Sequence, residues 1–545
     1  MYIRTTKRRN KDGSVVEYVQ LAHNEWDSAK GQARARVLYS FGRRDRLDLD
    51  ALRRLVRSLG RFLPPEEALQ LQDEMGGDAG LRFVGSRASG GAHLLRGLWD
   101  RLRIDETLSE ALANRDFAAP IRSALFAMVA NRALAPSSKL AVERWAERDV
   151  WLGRDDSLQV QHFYRAMDFL LENAEAVQKA VFWSTANLLN LEVDLIFFDT
   201  TNTWFEIEDA EDSELKFRGK SKEKRDDLPL VTVGLAVTRE GLPVRCWVLP
   251  GNQSDAKAVE RVQRDMNEWR LGRVLWVMDR GMTGEENRRI LRRAGGHYIL
   301  GEKLSGVHLN EEALRRPGRF KKVSDRLHVK EVFVGEGAGR RRFVLAFNPR
   351  RAAADRKRRE RLKERLAERL AAVEAGNASK AKLLKHPHLG RFVRERKNGT
   401  LAMDKGRLKE REKLDGKFLL SSSDDSLSAE DVALGYKQLL EVERAFRTLK
   451  TSLHLRPVHH SRDDRIRSHV LLCWLALLLV RLAEIETGET WPRLRDEMQR
   501  LHLGEFGGKD GRVLKHSEPT PSQINILKKL KIKPPKPVLD VETAK

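Results

Sequence analysis

The spacing of hydrophobic residues changes character several times along the chain of 545 residues. Apolar and polar residues alternate over 15–21 and 35–41, which predicts two β-strands in a small N-terminal unit. From 91 to 190 the apolar positions recur every three or four residues, the period of amphipathic helices. Between 193 and 300 short apolar runs alternate with helical segments, a pattern typical of an α/β layer.

This alternation stops at 301 and resumes only near 428. The interval contains strand-like pieces and one strongly charged helix that begins near Arg350. Ser428 is a suitable N-cap for a single helix that we expect to continue to Lys450. The apolar run at 470–480 has 11 residues, which predicts a core helix because a membrane-spanning helix needs about 20.

We therefore predict an α/β protein built from six consecutive segments. They are a β-containing module at 1–90, a helical and probable DNA-binding region at 91–190, the first part of a sheet-forming core at 191–300, an insertion at 301–428, the second part of the core at 429–500, and a flexible basic tail at 501–545. The tail is rich in proline and lysine, which favours flexibility.

The charge of the chain narrows the choice of partner. Lys and Arg number 102 against 79 Asp and Glu, so the formal net charge is +23. Such an excess predicts a polyanionic partner, above all nucleic acid. We expect no membrane association, because the longest apolar run is too short for a membrane-spanning helix. We also expect no secretion signal, because the first residues lack the apolar stretch that such a signal requires. The two cysteines, Cys246 and Cys473, are too few for a disulfide framework or a thiolate zinc site.

Two aspartates directly follow predicted apolar strands. Asp199 comes after the run at 194–198, and Asp279 comes after the run at 274–278. Ligand sites of α/β sheets collect at the carboxyl ends of strands, so neighbouring strands would bring both carboxylates to one edge. Their repulsion would be relieved by a cation, and hard oxygen ligands favour Mg²⁺ or Mn²⁺. The alternative is that each aspartate only caps a turn.

A third acid lies on the predicted helix that follows the insertion. Tyr436, Glu443 and Lys450 are seven residues apart, so they would share one face of that helix. The same face carries apolar residues, and an acid among them is costly unless it is paired or bound to a metal. The alternative partner for Glu443 is Arg447, one turn further on.

The order of these acids resembles that of DDE transposases of bacterial insertion sequences, in the group with a tyrosine–arginine–glutamate–lysine signature. The blocks Phe-Asp-Thr-Thr at 198–201 and Met-Asp-Arg-Gly-Met at 278–282 resemble the two aspartate motifs. The three residues spaced by seven match the signature, but Leu439 stands where arginine is expected. The role of that arginine stays open between Arg444 and Arg447. The resemblance covers about 191 to 485.

The resemblance implies an RNase H-like catalytic core that the insertion interrupts. It implies metal-dependent cleavage of the element ends and strand transfer into target DNA. Asp199, Asp279 and Glu443 would hold two Mg²⁺ (or Mn²⁺) ions, with Asp199 bridging them. Such an enzyme is a metal-dependent endonuclease that also joins DNA.

The resemblance also implies how the chain meets its substrate. Tyr436 and Lys450 would hold the phosphate backbone near the cut, and Arg447 and Arg280 would add DNA contacts. The partners would be the double-stranded DNA of the element ends and of the target, and a second copy of the chain in a homodimer on DNA. We expect the protein in the bacterial cytoplasm, associated with the nucleoid.

Two other functions fit the same residues. One is a catalytically inactive or regulatory DNA-binding protein derived from a transposase, although the presence of all three acids argues against it. The other is an RNase H-like endonuclease without joining activity, which only strand-transfer products would distinguish. A glycine-rich phosphate-binding loop ending in Lys-Ser/Thr is not found, which argues against an ATP-driven motor.

Overall fold

The structure is a computed structural model, and it describes most of the chain. The described residues are 1–10, 13–27, 31–60, 62, 82–113, 120–153, 158–191, 194–205, 213–219, 221, 225–269, 274–456, 458, 460–508 and 511–543. The chain divides into two compact units. The first comprises Met1–Val84, Glu505–Leu514 and Asp540–Lys545, and the second comprises Gly85–Gly504 and Lys515–Leu539.

An antiparallel sheet of three strands forms the N-terminal part of the first unit. Its strands are β1 (Tyr2–Arg9), β2 (Val15–Asp27) and β3 (Gln32–Arg43), with β2 in the centre. Helix α1 (Leu49–Gly60) follows. The two predicted strands are confirmed, and β1 was missed because it is mostly polar and therefore lacks an apolar alternation.

The segment after residue 501 differs from the predicted flexible tail. It contains β17 (His502–Gly508), β18 (Gly511–His516), a helix at Pro521–Lys529 and β19 (Val538–Thr543). The helix has a capping box, in which Thr520 accepts from the Gln523 backbone N–H and the Gln523 side chain accepts from the Thr520 N–H. The prediction was wrong because prolines at a helix start and between strands are compatible with order.

These strands and β4 (Arg82–Ala88) form a sheet in the order β19–β18–β17–β4.

Helices follow one another from residue 90 to residue 189, as predicted. They are α2 (Gly90–Arg101), α3 (Ile104–Leu112), α4 (Ile121–Leu134), α5 (Lys139–Arg148), α6 (Val160–Glu172) and α7 (Ala174–Leu189). Every residue of α4 except two near its start is buried, so this helix lies at the centre of the layer.

The main sheet of the second unit contains ten strands. They are β5 (Leu195–Trp204), β6 (Phe217–Arg218), β7 (Pro229–Val237), β8 (Pro243–Pro250), β9 (Leu275–Met278), β10 (His297–Glu302), β11 (Lys321–Ser324), β12 (Leu327–Val334), β13 (Arg341–Phe347) and β16 (Lys417–Ser422). Their order is β11–β12–β13–β16–β10–β9–β5–β7–β6, and β8 pairs with β7. The predicted hairpin of β7 and β8 is confirmed.

Four strands of the predicted insertion extend this sheet instead of forming a sheet of their own. Strand β16 pairs with the edge of β10, and β13, β12 and β11 continue outward. Such pairing satisfies the backbone groups that an unpaired β10 edge would leave open. Two helices of the core, α8 (Asp255–Asn267) and α9 (Glu285–Arg292), precede β10. The remaining insertion elements are α10 (His308–Arg315), α11 (Pro349–Glu374), α12 (Lys380–Leu384), β14 (Val393–Glu395), β15 (Leu401–Met403) and α13 (Lys405–Glu412).

Two layers of helices cover the two faces of the sheet. The elements after the insertion are α14 (Ala429–Lys437), α15 (Leu440–Thr451), α16 (Asp463–Thr487), α17 (Trp491–Met498) and α18 (Pro521–Lys529). Helices α14, α15 and α16 share the largest apolar core with one sheet face, whereas α8 and α9 contribute to a second core on the other. Helix α16 is long and apolar enough to cross a membrane, but 89% of its most apolar window is buried inside the protein.

Candidate active site

Asp199 and Asp279 lie side by side on neighbouring strands. Strands β5 and β9 are parallel, and their last paired residues are Phe198 and Met278, each directly before its aspartate. The prediction that the two strands are neighbours is therefore confirmed. Strand β5, however, does not end at Asp199 but continues to Trp204.

Strand β5 continues beyond Asp199 for a physical reason that its polar sequence does not indicate. Its next residues, at 200–203, are polar but buried, and they belong to the pairing with β7 that extends from Phe197 to Trp204. One example is the Asn202 side chain, whose Nδ2 donates to Thr232 Oγ1 at 3.0 Å. Polar residues that find such partners can extend a strand into the core.

Both carboxylates belong to the sheet face that α14 and α15 cover. Side chains alternate along a strand, and Phe197 and Val277, two positions before the aspartates, lie in the core shared with those helices. Phe198 and Met278 lie in the core of the opposite face. The two acids are thus placed between the sheet and the helices that follow the insertion.

Tyr436 from α14 reaches into this site. Its hydroxyl donates a hydrogen bond to Asp279 Oδ1 at 2.8 Å. Burial raises the pKa of the Tyr436 phenol, and the charge and hydrogen bond of Asp279 raise it further, while Arg280 acts in the opposite direction. The phenol therefore remains protonated and acts as a donor to the carboxylate.

A glycine makes room for this tyrosine. Strand β10 runs parallel to β9 with Leu300 beside Met278, so Gly301 follows in line with Asp279 and Asp199. A Cβ atom added at Gly301 would lie 2.2 Å from the Tyr436 hydroxyl oxygen. Sequence reasoning missed Gly301, although its position directly after an apolar strand is the one that both aspartates occupy.

The helix that carries Glu443 is separate from the helix that carries Tyr436. The predicted continuous helix divides at Gln438 and Leu439, where hydrogen bonds join residues three apart instead of four. The prediction of one continuous helix from Ser428 to Lys450 is therefore wrong. Leu439 is buried at this division, which explains why an apolar residue occupies the position of the signature arginine.

Glu443 lies in the first turn of α15 and is exposed. Helix α15 packs against β5, the strand of Asp199, through a stripe of buried residues, namely Val442, Ala445, Phe446 and Leu449. The alternative pairing is not observed, because neither Glu443 nor Arg447 forms an ion pair in the described part of the chain.

The structure brings together two of the three predicted metal ligands. Among the residues that the structure describes, no group of three or more acidic, histidine or cysteine side chains is arranged to hold a metal ion. Asp199 and Asp279 supply only carboxylate oxygens, a donor set that fits Mg²⁺ or Mn²⁺. The Asp199 Oδ1 atom also accepts a hydrogen bond from the Thr200 N–H at 2.7 Å.

The basic residues named from the sequence lie on different elements. Arg280 is exposed in the turn directly after Asp279, and Arg447 is exposed on α15. Lys450 is half-buried in the last turn of the same helix. Arg444, a candidate for the role of the missing signature arginine, forms an ion pair with Glu441 at 2.5 Å.

An α/β sheet with two adjacent carboxylates under a helical layer, on a strongly basic chain, has the composition of a site for a divalent metal in a protein that binds a polyanion. Two family models match the sequence. The model described as "Transposase DDE domain" matches residues 209–479, and the one described as "IS1634 family transposase, N-terminal domain" matches residues 3–69. The chain belongs to the DDE-type transposases of insertion sequences, and the two matches together span more than half of it.

The first match includes Asp279, Tyr436, Glu443 and Lys450 but begins after Asp199. A search of curated proteins found no match. Among solved structures, a cryo-EM structure of a piggyBac transposase synaptic complex with hairpin DNA aligns with 77% of this chain and 81% of that chain. Its sequence identity is 9% and its TM-score is 0.36, a similarity too low to transfer any feature.

Proposed function

We propose that this transposase cleaves the ends of its element and joins them to target DNA at a metal centre built on Asp199 and Asp279. The observation that carries the proposal is the alignment of the two aspartates on adjacent parallel strands. An RNase H-like core is supported by the strand order β8–β7–β5–β9–β10, in which only β7 runs antiparallel to its neighbours.

Glu443 completes the proposed ligand set. Three facts support it: it is exposed, it forms no ion pair with any residue that the structure describes, and its helix packs on the strand that carries Asp199. A carboxylate without a cationic partner is available for a metal when the enzyme closes on DNA. Two divalent cations, when bound, would supply charge for the attacking and leaving oxygens of the phosphoryl transfer.

The residues of the chain would contribute by orientation. Tyr436 donates to one oxygen of Asp279, so the carboxylate is held in one rotamer and its other oxygen is directed to a ligand. Asp199 is held in the same way by the backbone of Thr200. Arg280, Arg447 and Lys450 would contact DNA phosphates around the cut.

Double-stranded DNA is the proposed substrate in two forms, the element ends and the target. Cutting two ends together requires two catalytic units, so we propose a homodimer on DNA. The net charge of +23 favours tight, salt-dependent binding and association with the nucleoid.

The test is a cleavage assay with duplexes that carry the element ends, in Mg²⁺ or Mn²⁺. We expect Asp199→Asn, Asp279→Asn and Glu443→Gln each to abolish cleavage while the affinity for DNA measured without metal is retained. Asp425→Asn is the matched control, because Asp425 is an exposed acid on a loop of the same unit.

The products of the same assay separate the alternative functions. Cut ends that are joined to target DNA indicate a transposase, and cut ends without joined products indicate an endonuclease. Intact DNA with the wild-type protein would indicate an inactive DNA-binding derivative. If the Glu443→Gln variant cleaves DNA as fast as the wild type, Glu443 is not one of the metal ligands.

A further inference from the structure

A cluster of buried basic groups lies apart from the two aspartates. Arg132 is in the last turn of α4, and Lys139 is the first residue of α5. His469 and Cys473 approach them from α16, where they are one turn apart. Arg132 and Lys139 are each only 3% exposed, and His469 is 4% exposed.

The cluster has no compensating negative charge among the described residues. Among the described residues, no Asp or Glu forms an ion pair with Arg132 or Lys139. The one acid group that acts on both is the Cys473 thiol, and burial raises its pKa, so it stays uncharged. Within the same described part of the chain, Lys139 forms no hydrogen bond, and Arg132 donates a long bond of 3.4 Å to the His454 carbonyl. Arg132 Nε and His469 Nδ1 are buried without a partner.

Two unpaired cations in such a place are unfavourable. Burial lowers the pKa of Lys139 to about 7, and the charge of Arg132 acts in the same direction. Buried charges persist in proteins when a partner neutralises them. Arg132 and Lys139 lie close enough for the charge of one to act on the other. An arginine beside a lysine is a donor set that recognises a phosphate group.

We propose that Arg132 and Lys139 bind a phosphate group of the DNA backbone. The start of α5 adds its backbone N–H groups and helix dipole to the same place, and Ser138 caps it. The turn that precedes Lys139 and the side chain of His460 are only half-buried, so the cluster is close to the surface.

The position of the cluster links DNA binding to the candidate active site. Arg132 donates to the carbonyl of His454, and His469 contacts the carbonyl of Leu455 at 3.3 Å. These residues form the turn after α15, the helix of Glu443 and Lys450. A phosphate bound here would hold a DNA strand at the end of that helix. This inference rests on the proposed function, because it takes DNA as the ligand.

The test uses the full-length protein and the Lys139→Met variant, without divalent cations. Thermal unfolding is measured in inorganic phosphate and in chloride at equal ionic strength, and the affinity for a duplex is measured over a range of salt. We expect phosphate to raise the unfolding temperature of the wild type but not of the variant. The slope of log affinity against log salt should fall by about 0.9 in the variant, the loss of one phosphate contact.

Arg144→Met is the matched control for phosphate, because Arg144 is an exposed cation on the same helix. It should keep the stabilisation by phosphate. Lys139→Gln serves as a second variant with the same expected result if Lys139→Met does not fold.

Equal stabilisation of the wild type and the Lys139 variants by phosphate would overturn the site. Loss of that stabilisation with an unchanged salt slope would overturn the assignment to DNA and identify free phosphate as the ligand. Because no metal is present, failure of the proposed cleavage chemistry would leave these results unaffected.

Discussion

Gly301→Ala replaces a hydrogen atom with a methyl group at the centre of the candidate site. The added methyl carbon would lie 2.2 Å from the Tyr436 hydroxyl oxygen, 2.8 Å from its Cζ and 3.0 Å from its Cε2. Ordinary contacts between such atoms are about 3.5 Å. The tyrosine ring must therefore move by about 1 Å, and its 2.8 Å hydrogen bond to Asp279 will be lost.

The size of the effect follows from these two consequences. Overpacking of a tight contact costs about 1–3 kcal/mol of folding free energy. Loss of a hydrogen bond to a charged group adds about 1.5–3 kcal/mol, less where water can replace it. A displacement of about 1 Å in a group that orients a catalytic carboxylate can lower the rate of cleavage about 100-fold.

The assay is a double-mutant cycle in thermal unfolding and in metal-dependent cleavage. Tyr436→Ala removes all three close contacts, so Gly301→Ala should cost little stability in that background. The control is Gly339→Ala, because Gly339 is exposed and a Cβ atom there meets nothing within 4 Å. It should behave like the wild type in both measurements.

The cycle refutes the reasoning if Gly301→Ala costs the same stability with and without Tyr436. Additive effects would mean that the two residues do not contact each other. An unchanged cleavage rate in Gly301→Ala would show that the position of Tyr436 does not matter for Asp279.

Two further predictions concern other positions. Leu439→Arg, which restores the family signature, should lower the free energy of unfolding by about 2–5 kcal/mol without raising activity, because position 439 faces the core. Thermal unfolding and the cleavage assay test this, and a stable and more active variant would contradict it. Because the pKa of Lys139 is lowered from 10.5 to about 7, the unfolded state holds a proton that the folded state releases between those values. Stability should therefore rise with pH across this window, by at most about 1.4 kcal/mol per pH unit. The groups that face the amine are Arg132 from α4 and His469 and Cys473 from α16. Unfolding measured at several pH values should show this slope in the wild type, and Lys139→Met should remove it.

The strands of the sheet could be predicted from the sequence where a short apolar run ends at a polar residue. The runs before Asp199 and Asp279 are strands, and their parallel pairing brings the acids together. The end of β5 was not predictable, because buried polar residues keep the strand extended only through partners on β7. Tertiary packing of this kind leaves no local signal.

Features of the site that depend on tertiary contacts also escaped prediction. The division of the helix at Leu439 follows from the burial of that side chain, whereas local propensity favours an uninterrupted helix. The fit of Tyr436 against Gly301 joins positions far apart in sequence, so only the fold reveals it. Likewise, Arg132 and Lys139 are ordinary basic residues in the sequence, and only their burial sets them apart.

The most direct measurement is an experimental structure of the enzyme on cleavable element-end DNA, soaked with Mn²⁺ so that anomalous scattering locates the ion. Our account predicts manganese between the carboxylates of Asp199 and Asp279, with Glu443 as a ligand of the same centre. Manganese bound elsewhere, or a centre in which another acid replaces Glu443, would contradict it.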